Sequence, residues 1–340
     1  MPASASAAPS PDSRSAPDRT PASGPSSSGP TGALALAVDV GGTKVEAALV
    51  DSEARLVPGS RHRAPTGASS SSDEIADAVG RVIDETLTTL PPGSPLVGAG
   101  VGSAGPISAE HGTVSPLNLA AWRGFPLAGL VASRAGLDRA VLRLDGLCIL
   151  LAEHWVGALQ GCRTAMGMVV STGVGGGLLV EGRLVGGRTG NAGHIGQLQI
   201  LTRPDDSTGL DLDLTLENVA SGPHIVAWAR RQGFAGSTGE ELAAAGRAGD
   251  PIARAAIRRS ARAVGEGIAS ACALVDLEAV AIGGGFSKVS DDYVDLVQAA
   301  VDDVAPLSTI RGVRVVRSAL SDEAPLIGAA GLIHRADLLP

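Results

Sequence analysis

The sequence predicts an α/β protein with mixed sheets, and three observations support this fold class. Strand-like runs alternate with helical stretches along most of the chain, which is the pattern of α/β folds. Glycine turns recur near residues 41, 173 and 283, each at the end of a predicted strand. Of the 340 residues, 44% are hydrophobic but only 2% are aromatic, so alanine, valine and leucine must fill the core. Because ligands of α/β sheets collect at strand ends, the glycine turns indicate a ligand site.

Composition excludes several classes of partner. The formal net charge is −8, and no basic stripe suited to nucleic acid stands out. Cys148, Cys162 and Cys272 are far apart in the sequence, which indicates reduced thiols rather than disulfides or a metal knot. No run reaches the roughly 18 apolar residues of a membrane span, and the N-terminus lacks the features of a secretory signal. We therefore expect a cytoplasmic protein that binds neither nucleic acid nor membrane.

The first 31 residues are mostly serine, proline, alanine and glycine. This composition cannot bury enough apolar surface to offset the entropy of ordering, so it predicts a disordered tail. The tail also lacks a helix-turn-helix pattern.

The first glycine turn lies in residues 36–50, which predict two short strands joined by Gly41 and Gly42. Adjacent glycines allow positive φ and remove the Cβ atoms that would keep a ligand away. Backbone N–H groups at such a turn suit an anion, the carboxylate of Asp39 suits a hydrated Mg²⁺, and Lys44 adds a positive charge. Two interpretations stay open for this pattern alone: a nucleotide triphosphate site, or an ordinary hairpin with a Gly-Gly turn.

The remaining elements follow from hydrophobic periodicity and from breaker residues. Predicted strands after the opening hairpin are 96–102, 141–144, 166–171, 178–180, 279–282 and 313–317. Predicted helices are 72–90, 147–160, 216–232, 238–248, 251–274, 293–304 and 324–335. Asp145 stands between a strand and a helix, a position that by itself is typical of a helix N-cap.

Eight segments, taken in order, resemble the ROK family of bacterial glucokinases, related sugar kinases and sugar-responsive repressors. They are Asp39–Lys44, Gly100–Pro106, Asn118–Trp122 with Pro126 and Leu127, Asp145 with Ala152 and Glu153, Thr172–Gly177, Gly190–Gly196, Ile282–Gly285 and Leu326–Ala330. The resemblance covers roughly residues 34–335.

This resemblance implies the two-domain fold of sugar kinases, heat-shock ATPases and actin, with mixed sheets and an interdomain cleft. The implied division is a small N-terminal domain of residues 32–143, completed by a C-terminal helix at about 324–340, and a large domain of residues 144–323. It further implies ATP-dependent phosphorylation of a small-molecule sugar or sugar-like cyclitol, with Mg²⁺, by a homodimer.

The resemblance also assigns site residues. The first phosphate turn would be Asp39, Gly41, Gly42, Thr43 and Lys44, with Asp39 holding Mg²⁺ through water. The second phosphate turn would be Thr172, Gly173 and Gly175, and the residues flanking the adenosine would be Gly283, Gly284 and Gly285. With Glu153 at the family's spacing, Asp145 is expected to be the general base that takes the proton of the acceptor hydroxyl. The substrate-binding residues would be Gly105, Asn118, Leu144, Asp145, His194, Gln197 and Glu217.

The chain departs from the family around the implied acceptor. Leu144 replaces an amide, while His194 and Gln197 replace a sugar-binding glutamate and a histidine that also ligates zinc. Residues 208–216 contain no cysteine or histidine, so a zinc site of the family type is not expected. Losing a carboxylate and an imidazole changes the hydrogen-bond inventory of the pocket. The change suggests an acceptor without an ordinary anomeric hydroxyl, such as a carbasugar, a C7-cyclitol or a modified hexose.

Other interpretations of these residues stay open at the level of sequence. His194 alone is also compatible with a loop histidine that touches no ligand. For the whole chain, the alternative is a non-catalytic, sugar-sensing or regulatory member of the family. Residues 1–31 do not provide the helix pair with which the repressors bind DNA.

Overall fold

Two five-stranded sheets flanked by helices make up the computed structural model, which describes residues 32–67, 69–200 and 215–339. The strands are β1 (Leu34–Val40), β2 (Lys44–Asp51), β3 (His62–Pro65), β4 (Leu96–Ser103), β5 (Ile107–Ser108), β6 (Thr113–Val114), β7 (Val141–Leu144), β8 (Ala165–Val170), β9 (Val174–Val180), β10 (Arg183–Leu184), β11 (Ala279–Gly283) and β12 (Arg314–Arg317). The helices are α1 (Ser72–Thr88), α2 (Leu127–Ala135), α3 (Asp145–Val156), α4 (Leu216–Ala220), α5 (Gly222–Arg231), α6 (Gly239–Ala248), α7 (Pro251–Val275), α8 (Tyr293–Val304), α9 (Ser308–Arg311) and α10 (Ala324–His334).

The two sheets repeat one topology. The first has the order β3-β2-β1-β4-β7 and the second β10-β9-β8-β11-β12. In each, a central strand pairs antiparallel with its hairpin partner (β1 with β2, β8 with β9) and parallel with a later strand (β1 with β4, β8 with β11). The mixed sheets predicted from the sequence are therefore confirmed, with a glycine turn at the head of each central hairpin.

Local sequence signals explain how the helices begin. Ser71 and Glu74 form a capping box at the start of α1, and Thr238 and Glu241 form another at α6. Each box satisfies N–H groups that the first turn of a helix leaves without partners. Asp250 caps α7 in a similar way, immediately before a proline in the first turn.

Helices α3 and α10 each pack on the sheet that the other helix follows in the chain. Helix α3 follows β7 of the first sheet but packs mainly on β8 and β9 of the second. Helix α10 follows β12 of the second sheet but packs on β1 and β4 of the first. The two helices cross where Gly328 lies against the backbone of Cys148, so closely that a Cβ at 328 would stand 1.7 Å from the Cys148 carbonyl oxygen. This crossing joins the two sheets and fixes the start of α3 between them.

Most predicted elements appear, with differences at their ends. Helix α3 begins at Asp145 rather than residue 147 and ends at Val156 rather than residue 160. The helix predicted over 216–232 is two helices, because Ser221 is extended (φ −69°, ψ 153°) and Gly222 starts α5 in a new direction. Strands β3, β5 and β6 and helices α2 and α9 were not predicted.

The domain division predicted from the sequence is not tested by the structure. The described residues from 32 onward form one compact unit, and the division at residues 143 and 144 stays a prediction. The tail prediction for residues 1–31 concerns a segment outside the described residues. No helix in the described part of the chain is long and apolar enough to cross a membrane.

We predict that Gly328→Ala lowers the free energy of unfolding by about 1–3 kcal/mol or more, because the added methyl group overlaps the α3 backbone. Gly129→Ala is the matched control, since that exposed glycine in α2 has open space around its missing Cβ. There the same change should stabilise the protein by up to about 1 kcal/mol. Urea denaturation measures both variants, and equal effects of the two substitutions would contradict the close crossing.

Candidate active site

A cleft lies where the glycine turns of the two sheets face each other. It is a cavity of about 360 Å³ lined by residues 41–44 of the β1–β2 turn and residues 171–176 around the β8–β9 turn. Asp145 at the start of α3 and Gly284 and Gly285 after β11 also line it. The structure thus brings together the three glycine segments and the acidic residue that the sequence analysis singled out.

Asp39 is the next-to-last residue of β1 and lines this cleft, opposite Glu46 in the strand register. Burial raises the pKa of Asp39 to about 7, and the like charges of Asp145 and Glu46 add to the rise, while Lys44 and Arg61 oppose it. A half-buried carboxylate with other carboxylates nearby suits a divalent cation, because Mg²⁺ prefers oxygen ligands and removes their mutual repulsion. The donor chemistry therefore fits Mg²⁺ at Asp39.

Asp145 is the first residue of α3, and Leu144 occupies the N-cap position without a side-chain capping bond. The N-cap interpretation of Asp145 is therefore wrong. Its Oδ1 accepts a hydrogen bond of 2.7 Å from the Gly146 N–H. Burial raises the pKa of Asp145 to about 6, with Glu217 adding to the rise and the Gly146 N–H opposing it. A carboxyl group tuned in this way, in a cleft, is a candidate general base.

Glu217 comes from the first turn of α4 and reaches the second glycine turn. Its Oε2 accepts a 2.9 Å hydrogen bond from the Val174 N–H. A Cβ on Gly173 would stand 2.6 Å from the same oxygen, so a larger residue at 173 would displace the Glu217 carboxylate from its present position. Glu217 thereby fixes the turn and presents a carboxylate to the cleft.

Glu153 has a structural role rather than a place in the cleft. It is fully buried and accepts hydrogen bonds from Ser318 Oγ (2.6 Å), Ala319 N (3.1 Å), Leu320 N (3.0 Å) and Ala158 N (2.8 Å). These bonds tie α3 to the connection between β12 and α10. The spacing of Glu153 from Asp145 thus serves to anchor the helix that carries Asp145.

One corner of the cleft is formed by Gly105, Leu144 and His194. A Cβ on Gly105 would stand 2.6 Å from Leu144 Cδ2 and 3.2 Å from His194 Cε1. Leu144 is only 3% exposed, so this corner is apolar on one side. Asn118 lies across the cleft against Gly42, where a Cβ would meet the amide group of the asparagine.

Residues 35–336 match the sequence profile of the ROK family. The chain belongs to the ROK family.

Named relatives agree with this assignment. A glucokinase of Streptomyces coelicolor is 29% identical over 323 residues, which cover 89% of this chain and 98% of that protein. An N-acetylmannosamine kinase of Citrobacter koseri is 33% identical over 250 residues, or 73% of this chain and 82% of the relative. The crystal structure of a ROK family glucokinase from Streptomyces griseus in complex with glucose and AMPPNP has a TM-score of 0.75 at 28% identity, covering 89% of this chain and 99% of that one. The predicted fold of sugar kinases and actin-like ATPases is confirmed.

Gln197, expected from the ROK resemblance to bind substrate, is not brought to the cleft. It ends the short 3₁₀ turn Ile195–Gln197, in which Ile195 and Gly196 are buried and Gln197 is exposed. Gly196 packs so tightly on the Val174 carbonyl that the turn has a fixed orientation, and position 197 then points to solvent. His194, at the other end of the turn, does line the cleft.

The zinc expectation concerns residues 208–216, of which 208–214 lie outside the described residues. In the part of the chain that is described, no group of three or more His, Cys, Asp or Glu side chains is placed to hold a metal. The absence of a family-type zinc site stays a prediction.

Sequence reasoning missed His224 and a second cavity. His224 lines the cleft, and its Nδ1 lies 2.8 Å from Ser221 Oγ. The second cavity, of about 650 Å³, lies between α5, α6 and the turn after Gly285. It shares Ser171, Thr172 and Gly285 with the cleft. The helix residues that line it have ordinary helical spacing on α5 and α6, which does not distinguish a cavity wall from any other helix face.

We predict that Asp39→Asn raises the free energy of unfolding and that the gain grows with pH. The folded-state pKa of about 7 lies above the ordinary 3.8, so the folded wild type binds more protons than the unfolded chain between these values. Its stability therefore falls as the pH rises from 4 to 7, approximately. Removing the carboxylate should have little effect near pH 4 and should stabilise by up to about 4 kcal/mol above pH 8.

Urea denaturation without divalent cations measures this effect, with Asp77→Asn on the exposed face of α1 as the control. If the free energy of unfolding rose by the same amount at pH 5 and at pH 8, the pKa of Asp39 would not be raised in the folded protein, and the prediction would be wrong.

Proposed function

We propose that this chain is an ATP- and Mg²⁺-dependent kinase that transfers a phosphoryl group to a hydroxyl of a sugar or sugar-like cyclitol, with Asp145 as general base. One observation carries the proposal. Asp145, with a pKa of about 6, lines a single cleft with both glycine turns. Named relatives that are sugar kinases, including one with glucose and AMPPNP bound, support this activity.

Phosphoryl transfer to an alcohol requires a general base near the acceptor hydroxyl. An alcohol is a poor nucleophile, so a carboxylate within hydrogen-bond reach must orient it and accept its proton as the new P–O bond forms. General-base assistance of this kind contributes a factor of about 10²–10⁴ to the rate. A pKa near 6 keeps Asp145 ionised at neutral pH while leaving it more basic than an ordinary aspartate.

The two glycine turns supply donors for the phosphates. Within the described residues, the amide N–H groups of Gly42, Thr43 and Thr172 have no protein acceptor. All three residues line the cleft, where such N–H groups are suited to bind phosphate oxygens. Mg²⁺ held by Asp39 through water would supply charge neutralisation at the transferred phosphoryl group.

The acceptor corner supports a substrate that differs from glucose. Leu144 is buried and offers no hydrogen bond where an amide is usual, and His194 stands where a glutamate is usual. A substrate hydroxyl facing Leu144 would lose its hydrogen bond at a cost of about 1–3 kcal/mol. We therefore favour a carbasugar or cyclitol that lacks an ordinary anomeric hydroxyl.

The cellular setting is part of the same proposal. We propose a cytoplasmic homodimer acting on a small molecule. All three cysteines are free and buried, which suits a reducing compartment, and dimerisation follows from the family likeness.

We predict that Asp145→Asn lowers kcat by about 10²–10⁴ and leaves the affinity for an ATP analogue unchanged, because only proton transfer is lost. In the wild type, kcat/KM should rise with pH through about 6 as Asp145 of the free enzyme loses its proton, and the variant should lack this rise. Steady-state kinetics and calorimetry measure both effects, with exposed Asp295→Asn as the control. Near-wild-type turnover in the variant would remove Asp145 from the base role.

We predict from the acceptor corner that a coupled ADP-release assay across hexoses, N-acetylhexosamines and cyclitols gives the highest kcat/KM with a cyclitol. Leu144→Asn and His194→Glu should each shift the preference toward glucose, because they restore hydrogen-bonding groups. Gln197→His, outside the cleft, should have no effect and serves as the control. A preference for glucose in the wild type would overturn the cyclitol proposal. If no acceptor led to ADP release, a non-catalytic, sugar-sensing protein would be favoured.

A further inference from the structure

A network of charged side chains crosses the border between the cleft and the larger cavity. Lys44 and Lys288 are the only lysines in the sequence, and each lines one cavity, Lys44 the cleft and Lys288 the larger cavity. The Nζ of Lys288 lies 3.0 Å from Oδ1 of Asp322, which lines the cleft. The ammonium group of Lys288 therefore stands at the passage between the two cavities.

Arg61 connects the two lysine ion pairs. It donates to the main-chain oxygen of Asp322 at 3.1 Å and to Oε1 of Glu46 at 3.2 Å. Glu46 is also the partner of Lys44. The three cations Lys44, Arg61 and Lys288 are thus linked through the carboxylates of Glu46 and Asp322. Lys288, by its hydrogen bond and its charge, holds the pKa of Asp322 below its usual value, and Lys44 and Arg61 lower it further.

The backbone of Lys288 is held by several hydrogen bonds, whereas its side chain is largely exposed. Its N–H donates to the Gly285 oxygen at 3.2 Å, and Ser287 Oγ donates to the Gly284 oxygen at 2.8 Å. Arg317 donates to the Ser287 oxygen at 3.2 Å. In contrast, the Lys288 side chain is 47% exposed and that of Asp322 is 76% exposed. An exposed ion pair of this kind contributes only about 0–1 kcal/mol, so exchanging its anion costs little.

We propose that Lys288 binds the phosphoryl donor: when the nucleotide is present, its ammonium group leaves the carboxylate of Asp322 and binds the phosphates instead. The inference rests on the proposed function, in which the reacting phosphate lies beside Asp145. Gly285, one of the residues expected to flank the adenosine, lines the larger cavity, so we assign the base of the nucleotide to that cavity. The cavities share Ser171, Thr172 and Gly285, so the phosphates must cross at this border, where the ammonium group stands. The phosphates of a nucleoside triphosphate carry several negative charges and the carboxylate of Asp322 only one, so the ammonium group gains Coulomb attraction in the exchange.

Calorimetry with a non-hydrolysable ATP analogue and with AMP tests this role. Lys288→Met should weaken binding of the ATP analogue about tenfold or more and change AMP binding by less than about twofold, because AMP lacks the crossing phosphates. Lys288→Arg should keep most of the affinity. Asp322→Asn should bind the ATP analogue at least as tightly as the wild type, since it removes a competing negative charge.

The matched control is Arg231→Met, which removes one exposed positive charge at the end of α5 from a residue that lines neither cavity. It should leave both affinities unchanged.

The scarcity of lysine allows a second, direct measurement. With two lysines and one α-amino group in the chain, mass spectrometry after amine acetylation resolves every modified site. The ATP analogue should protect Lys288 from acetylation, and AMP at equal occupancy should not.

Three results would overturn the inference: unchanged affinity of Lys288→Met for the ATP analogue, equal losses for the analogue and for AMP, or no protection of Lys288. If the wild type still turns over ATP, such a result removes this inference alone. If the wild type binds no adenine nucleotide, the proposed function falls as well.

Discussion

The crossing of α3 over α10 is the contact on which the rest of the structure depends. A glycine at 328 lets the two helix backbones touch, and each helix covers the sheet from which the other one comes. The first residue of α3 is Asp145, so the crossing also fixes the position of the candidate base between the two glycine turns. The buried Glu153 completes the arrangement by tying the same helix to the chain that leads into α10. Helix α3 therefore both joins the two sheets and carries the candidate base.

The cleft concentrates negative charge and exposes positive charge at its mouth. Asp39 and Asp145 have raised pKa values because burial and neighbouring carboxylates penalise their ionised forms. Such a site lowers stability when it is empty and gains most from a ligand that brings cations. At Asp322 the effect is opposite, because Lys288, Lys44 and Arg61 lower the pKa of that carboxyl group. Under the proposed function, a magnesium nucleotide would bring a cation to the buried carboxylates and phosphate oxygens to these basic side chains.

Much of the fold could be predicted from the sequence because the relevant signals are local. The Gly41-Gly42 hairpin and the capped helix α1 depend on neighbours in the chain, and they appear where expected. The break at Ser221 was not predicted, because the apolar periodicity continues from α4 into α5, although Gly222 and Pro223 are a local signal for a new helix start. The exposed position of Gln197 could not be predicted either, because it depends on how Gly196 packs against β9, which is distant in the sequence.

The site residues also differ in how far local sequence signals could predict them. Glycine turns and strand-end carboxylates are coded by short motifs, so the positions of Asp39, Asp145 and Gly173 in the cleft were foreseeable. His224 and Lys288 come from segments without a motif, and their approach to the cavities depends on how helices of the second half pack. Glu153 was noticed for its spacing, yet its four hydrogen bonds show that the spacing serves support rather than chemistry.

The exchange of α3 and α10 also has a consequence for how the molecule is made. Strand β1 is covered by α10, which follows it only after the whole second sheet, so the first sheet stays open on one face until α10 has been synthesised. The segment from β1 to β7 therefore cannot complete its core by itself as it leaves the ribosome. Its apolar surface stays exposed until α10 packs on it, which makes the first sheet the region most in need of protection during translation.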